Sequence, residues 1–248
     1  MFSKSLFMPA IAGVLFVLSS CGGASDKTGT EKSASDTAAA ASSTVTTVTP
    51  VSTIVTTSQS MFLVKHKVAS FAKWLASYEA HDSMRLANGL HNYVIGRGMA
   101  DSNTIMVAVK ADDMTKAKAF AANANLKEAM QKGGVTGKPV FYFFTTVFQD
   151  TATISSAMRA FATYPVKDWA AWEKGFKEGQ QERIENGITD RVYGHDADDD
   201  HKVMLVTAIL DSARASAYVN SDKNKKRRTD AGVIGEPERF AFRIVKRY

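Results

Sequence analysis

Along residues 61–68, MFLVKHKV, the side chains Phe62, Val64, His66 and Val68 alternate with Leu63, Lys65 and Lys67, a period of two that predicts a strand. Ser70 then stands as an N-cap before Phe71, Trp74, Leu75, Tyr78 and Leu86 at helical spacing, and Asn88-Gly89 ends that helix at a C′ glycine. Strands follow near 92–98 and at 104–110, with a turn at 100–103 between them. Asp112-Asp113 caps a second helix that runs to about Lys132 and stops at Gly133-Gly134. After Gly137-Lys138-Pro139 comes VFYFFTTVF, the most aromatic strand of the chain. The order is βαββαβ.

The same order returns at a constant offset of 98 residues. Without a gap, Trp74 falls on Trp172, Arg85 on Arg183, Asn88-Gly89 on Asn186-Gly187, Gly96 on Gly194, Met106 on Met204, Asp113 on Asp211, Gly134 on Gly232 and Pro139 on Pro237, among other matches. Average residue usage would give roughly four coincidences over such a window. The chain is therefore a duplicated module, 61–150 and 151–248. The second copy reads as a strand in MRAFATYPV, a helix over 168–185, strands at 191–194 and 203–210, a helix from Asp211, and a last strand over 239–246.

This order predicts an α+β chain of two tandem ferredoxin-like modules, each an antiparallel four-stranded sheet with both helices on one face. The other face is then bare. A strand as apolar as VFYFF needs cover on both faces, and the second copy supplies it, sheet against sheet, as an internal pseudo-dimer. On this reading the edge strands stay exposed and free to pair with further copies.

Hydrophobic residues make up 45% and charged residues 23%, ordinary for a chain that buries a core. The amino terminus departs from this. Lys4 precedes an apolar run from Leu6 to Leu18 that is too brief to span a bilayer, which predicts an export signal over 1–20. Leu18-Ser19-Ser20-Cys21 resembles the lipobox of bacterial lipoproteins. That resemblance implies cleavage before Cys21, acylation of its thiol, and attachment to a lipid bilayer of the bacterial cell envelope; Gly22 after the cysteine implies the outer membrane. Cys21 is the only cysteine, so no disulfide is possible. Residues 21–60 are rich in Ser, Thr and Ala and poor in large apolar groups, which predicts a disordered tether with no strand in it.

The pattern FxxWxxxYxxHxxxRxxxG over 71–89, DxxxAxxF over 113–120 and GGVxGxP over 133–139 resembles the antibiotic biosynthesis monooxygenase group of the dimeric α+β barrel superfamily. The resemblance implies two ferredoxin-like modules packed sheet to sheet. It leaves the chemistry open, because the superfamily holds cofactor-free oxygenases, haem-degrading enzymes and members with no assigned activity.

Trp74, Tyr78, His81 and Arg85 lie at i, i+4, i+7 and i+11, one stripe along the first helix that should continue into a cleft. The second module keeps Trp172 and Arg183 but has Phe176 and Gly179 at the other two places. A guanidinium there could hold a carboxylate. Its presence in both copies favours a structural role instead. His81 has no counterpart and marks the first module. His66 falls opposite Tyr164 in the repeat, and suits general base work or haem ligation if it faces a cavity, or a buried histidine satisfied by a neighbour if not. Phe141, Tyr142, Phe143 and Phe144 could stack a planar ligand, although an intermodule core accounts for them.

The turn Asp196 to His201 is acidic, but it lacks the glycine and distal Glu of a calcium loop, so no metal is expected. Lys223, Lys225, Lys226, Arg227 and Arg228 form a basic run, read as a solvated helix face or a surface for anionic head groups. There is no phosphate-binding Gly-rich loop, GxSxG or HExxH, and an exported chain is a poor candidate for nucleic acid. These features favour an envelope lipoprotein that binds a small apolar or aromatic ligand, or an envelope partner, without turnover and without a cofactor. The alternative is a cofactor-free monooxygenase or a haem-binding or haem-degrading enzyme in the first-module cleft. The two separate on geometry: turnover needs His66 or His81 to converge with Arg85 on an enclosed cavity of roughly a few hundred Å³.

Overall fold

The structure, a computed structural model, describes residues 52–248. The export signal, Cys21 and most of the tether lie outside those residues. In the first module β1 (Ile54–Val55) and β2 (Gln59–Val68) lead into α1 (Phe71–Ala80), α2 (Asp82–Leu86), β3 (Leu90–Gly98), β4 (Thr104–Ala111), α3 (Met114–Ala121), α4 (Ala124–Lys132) and the long β5 (Val135–Asp150). The second module follows with β6 (Met158–Pro165), α5 (Trp169–Glu178), α6 (Gln180–Glu185), β7 (Ile188–Asp196), β8 (Lys202–Ile209), α7 (Ser212–Asn220), α8 (Asp222–Asp230) and β9 (Glu238–Arg247).

Each predicted helix is two short ones, and the breaks repeat at the offset of 98. His81 and Gly179 leave the helical region between α1 and α2 and between α5 and α6. Asn123 and Ser221 have extended backbone and cap α4 and α8 by accepting from the amides of Asn125 and Asn224. Asp113 and Asp211 cap α3 and α7 in the same manner, satisfying amides that have no partner inside the helix. Ser70 precedes α1 as expected, yet its hydroxyl caps nothing.

All strand pairs are antiparallel, in the orders β5-β2-β4-β3 and β9-β6-β8-β7. The two sheets also join. β3 pairs with β9 from Val94↔Arg247 to Gly98↔Phe242, and β5 pairs with β7 from Phe144↔Asp196 to Gln149↔Val192. The pseudo-dimer is thus closed into a ring of strands, and the expectation of exposed edges is corrected: closure consumes the N–H and C=O groups that an edge would present. The tether is corrected too. Ile54 and Val55 form β1 because the end of β5, Gln149 and Asp150, outruns β2 and leaves an edge for them to pair with.

Alternation along the strands separates two apolar layers. Met61, Leu63, Met106, Tyr142, Phe144, Phe161, Val192, Met204 and Phe242 fill the inside of the ring. Phe62, Val64, Ile105, Val107 and Val109 point outwards and meet Trp74, Ala117 and Phe120 from the first module's helices. Tyr164, Val166, Val203 and Leu205 do the same beneath Trp172 in the second. The VFYFF strand divides accordingly, Tyr142 and Phe144 inwards and Phe141 and Phe143 towards the helices, where both stack on Phe62.

Candidate functional site

Each module has a cavity beneath its first helical arm, and the first module has in addition an open groove of ≈ 650 Å³ between α4 and the start of β5. The eight residues singled out from the sequence divide between the two cavities.

His66, Trp74, Tyr78, His81 and Arg85 all line the first-module cavity. Trp74 is buried, stacks on Tyr78 at 5.2 Å and lies against His66 at 5.4 Å between ring centres. Tyr78 donates to Asn92 Oδ1 at 2.6 Å, and the Arg85 guanidinium sits 3.7 Å over its ring. Arg85 Nε also donates to Asn92 Oδ1 at 2.9 Å and Nη2 to Asp82 at 3.2 Å, while Asn92 Nδ2 donates to Asp82 at 2.6 Å. Burial raises the Tyr78 phenol well above its ordinary value. His81, at the break between α1 and α2, donates from Nδ1 to the Ser77 carbonyl at 2.6 Å. His66 is 5% exposed, neither ring nitrogen has a partner, and burial lowers its pKa to about 4. The imidazole is neutral at pH 7. Arg85 is therefore committed to its own module, and convergence is on a cavity of only ≈ 80 Å³. That is well below the roughly 300–1,000 Å³ of a site for an organic ligand.

Tyr164, Trp172 and Arg183 line the second-module cavity, which measures ≈ 430 Å³. Trp172 Nε1 donates to the Tyr164 hydroxyl at 3.1 Å, and Phe176 stacks on Trp172 at 4.8 Å. Arg183 lies 3.6 Å over the Phe176 ring and binds Asp190 with both arms of its guanidinium, at 2.8 and 2.6 Å.

The difference in volume follows from the duplicated positions. Phe62 and Val64 of the first module become Ala160 and Ala162, which opens the floor of the second cavity. Leu126, Met130 and Phe141 become Asn224, Arg228 and Arg239, so the apolar wall becomes a polar one. These are the lining residues that sequence reasoning missed, although comparing mismatches at the offset of 98 would have exposed them. The basic run is corrected by the same finding. Lys223 and Arg227 pair with Glu182, Lys225 with Asp222 and Lys226 with Asp230, but Arg228 turns into the cavity. Its Nε and Nη1 are buried without a partner, as is the Tyr218 hydroxyl on the same wall.

For haem, His66 and the ≈ 430 Å³ cavity are in different halves, and the ≈ 650 Å³ groove along α4 and the start of β5 in the first module has no histidine on its walls. His66 faces a cavity too small for a porphyrin, and no histidine or cysteine lines the second-module cavity. The residues present do not fit an iron porphyrin held through His66. On the β7–β8 turn Asp199, Asp200 and His201 cluster, all exposed, with His201 Nδ1 2.9 Å from Asp200.

No protein-family model matches the chain, and no curated protein matches it by sequence. Solved structures do match by fold. An anthrone oxidase-like protein is 14% identical, with a TM-score of 0.54 over 79% of this chain and 94% of that one. A candidate monooxygenase from Fusobacterium nucleatum is 11% identical, with a TM-score of 0.51 over 75% of this chain and 92% of that one. A candidate chlorite dismutase is 15% identical, with a TM-score of 0.48 over 76% of this chain and 95% of that one. Identities this low show the fold alone: two ferredoxin-like modules, as in monooxygenase-like proteins of this architecture.

Proposed function

We propose that this chain is an envelope lipoprotein, attached to the outer membrane through acylated Cys21, that binds a small apolar or aromatic molecule in its second module without turning it over. The observation that carries the reading is the ≈ 430 Å³ cavity beneath Trp172, set against ≈ 80 Å³ at the equivalent place in the first module. A volume of this size suits a ligand of one to three rings, and Leu205, Phe176, Val219, Ala160 and Ala162 give it apolar walls.

The names of the structural neighbours favour the other reading, a monooxygenase. Against it, the residues that could move a proton, His66 and His81, line the cavity that has no room for an organic substrate. No histidine, aspartate or glutamate lines the cavity that does. Binding without proton transfer is what each half can support on its own.

The test fills the cavity with the first module's own bulk. In Ala160→Phe, which restores the residue at Phe62, the neutral fluorophore phenylnaphthylamine should lose its binding to the full chain, while Phe62→Ala leaves it intact. Undiminished binding in Ala160→Phe, with an unchanged melting temperature, would place the ligand elsewhere and overturn the reading. The anchor is tested separately: labelled palmitate should enter the wild-type chain and not Cys21→Ser, and the variant should leave the outer-membrane fraction.

A further inference from the structure

We propose that the molecule held in the second module carries an anion, a carboxylate or phosphate head on an apolar body, gripped by Arg228 and Arg239. This rests on the reading of that cavity as a ligand site and adds the chemical class of the ligand.

Four guanidinium groups border the cavity, and no carboxylate lines it. Two of the four are spoken for: Arg183 by Asp190, and Arg227 by Glu182 at 2.6 Å. Arg228 has only a long ion pair, 3.7 Å from Nη2 to the exposed Glu236, and its Nε and Nη1 are buried without an acceptor. Arg239, the second residue of β9, has no side-chain acceptor within hydrogen-bond distance among the described residues.

These two charges stand where the first module has Met130 and Phe141, two side chains that close its cavity. A position that needs only packing is filled by the apolar pair; the arginines remove packing and bring two like charges together. They act on each other: Arg239 is held below the ordinary arginine value first by loss of hydration and then by Arg228, with the exposed Glu236 opposing the shift. Buried guanidinium donors without acceptors are unfavourable, and an anion relieves both the missing hydrogen bonds and the repulsion. Two tyrosine hydroxyls on the wall can also donate. The Tyr218 hydroxyl has no partner, and the Tyr164 hydroxyl accepts from Trp172 and keeps its own proton free. Two arginines beside a floor of Ala160, Ala162 and Leu205, with Arg239 directly across from Ala162 on the neighbouring strand, describe a site for an amphiphile with one charged head.

Two probes that share a ring body decide it: neutral phenylnaphthylamine and anilinonaphthalene sulfonate, titrated against the full chain carrying Cys21→Ser so that no acyl chain competes. The sulfonate should bind about tenfold more tightly than the neutral probe, the effect of a charge-assisted contact. Arg228→Gln and Arg239→Gln should each remove that advantage while changing neutral binding less than about twofold, and Arg228→Lys should keep part of it. Arg239 is exposed, so its variant tests the claim even if Arg228→Gln lowers the melting temperature. Displacement of the sulfonate by decanoate and by decyl phosphate then tells a carboxylate head from a phosphate head. If both probes bind equally, the charge inference fails and the apolar cavity stands. If neither binds, both fail together. A sulfonate advantage that survives both Gln variants, or that neither decanoate nor decyl phosphate competes away, also overturns the proposal.

Discussion

Arg183 and Asp190 meet through two parallel hydrogen bonds of 2.8 and 2.6 Å with both side chains buried, and 98 residues earlier the same place holds Arg85 and Asn92. One copy ties the end of its first helical arm to its sheet with an ion pair, the other with an amide shared between Arg85 and Tyr78. Removing one member of a buried ion pair leaves the other charge uncompensated, so Asp190→Ala should cost about 3–5 kcal/mol. Asn92→Ala leaves Arg85 its contact with Asp82 and should cost about 1–3 kcal/mol. Urea denaturation of the two variants checks the order, and equal losses would mean that the ion pair does not hold α6 to β7.

His66 makes stability depend on pH in a definite direction. Its pKa is lowered by burial to about 4, whereas in the unfolded chain it titrates near 6.5. Above pH 6.5 the ring is neutral in both states and contributes nothing to the slope. As pH falls from 6.5 to 4 the unfolded chain takes up a proton that the folded one refuses, so stability is lost through that window. The loss should level off at about 3 kcal/mol below it. His66→Leu lacks the effect. Carboxylates such as Glu182 and Glu238 also shift with pH, but they are common to both proteins. The difference between wild type and His66→Leu at pH 7 and at pH 4.5 therefore isolates the histidine, and parallel curves would refute the assignment.

At the equivalent position the second module behaves differently. Tyr164 offers its hydroxyl to the Trp172 indole at 3.1 Å, both side chains buried. Tyr164→Phe keeps the ring and strands the indole N–H, at a cost of about 1–3 kcal/mol. Denaturant melts followed by tryptophan fluorescence measure it. A neutral result would require the indole N–H to find another acceptor.

The duplication made most of the fold legible, because both copies repeat the residues that start and stop elements: Asp113 and Asp211 as caps, Gly89 and Gly187 at positive φ after the first helical arm. The breaks at His81 and Gly179 were hidden, since Trp74, Tyr78 and Arg85 keep helical spacing across the interruption. The ring closure was hidden for another reason. Strand patterning says which residues face inwards, and says nothing of which edge meets which. The candidate site was half legible: the eight residues chosen do line cavities, but they came from the stripe along the first helical arm and from the first strand of each module, and the second arm went unread. What enlarges the second cavity is a set of mismatches, Phe62 against Ala160 and Met130 against Arg228 among them, and helical periodicity alone cannot tell an arginine that turns inwards from one on a solvated face.

Gly96 and Gly194 match at the offset of 98 and sit on the two seams that close the ring. At Gly194 a Cβ would lie 1.9 Å from the Thr145 carbonyl oxygen and 2.8 Å from Thr146 Cα, backbone of β5 paired directly across the seam. At Gly96 it would meet the Phe242 ring at 2.1 Å. A ring can turn, at the expense of packing inside the barrel; a paired strand can move only by parting from its neighbour. Gly194→Ala should therefore cost about 3 kcal/mol or more and Gly96→Ala nearer 1–2 kcal/mol. Only the first should speed hydrogen exchange of the β5 amides from Phe144 to Gln149. If those amides stay as protected in Gly194→Ala as in the wild type, the β5–β7 seam is not where this barrel is held shut.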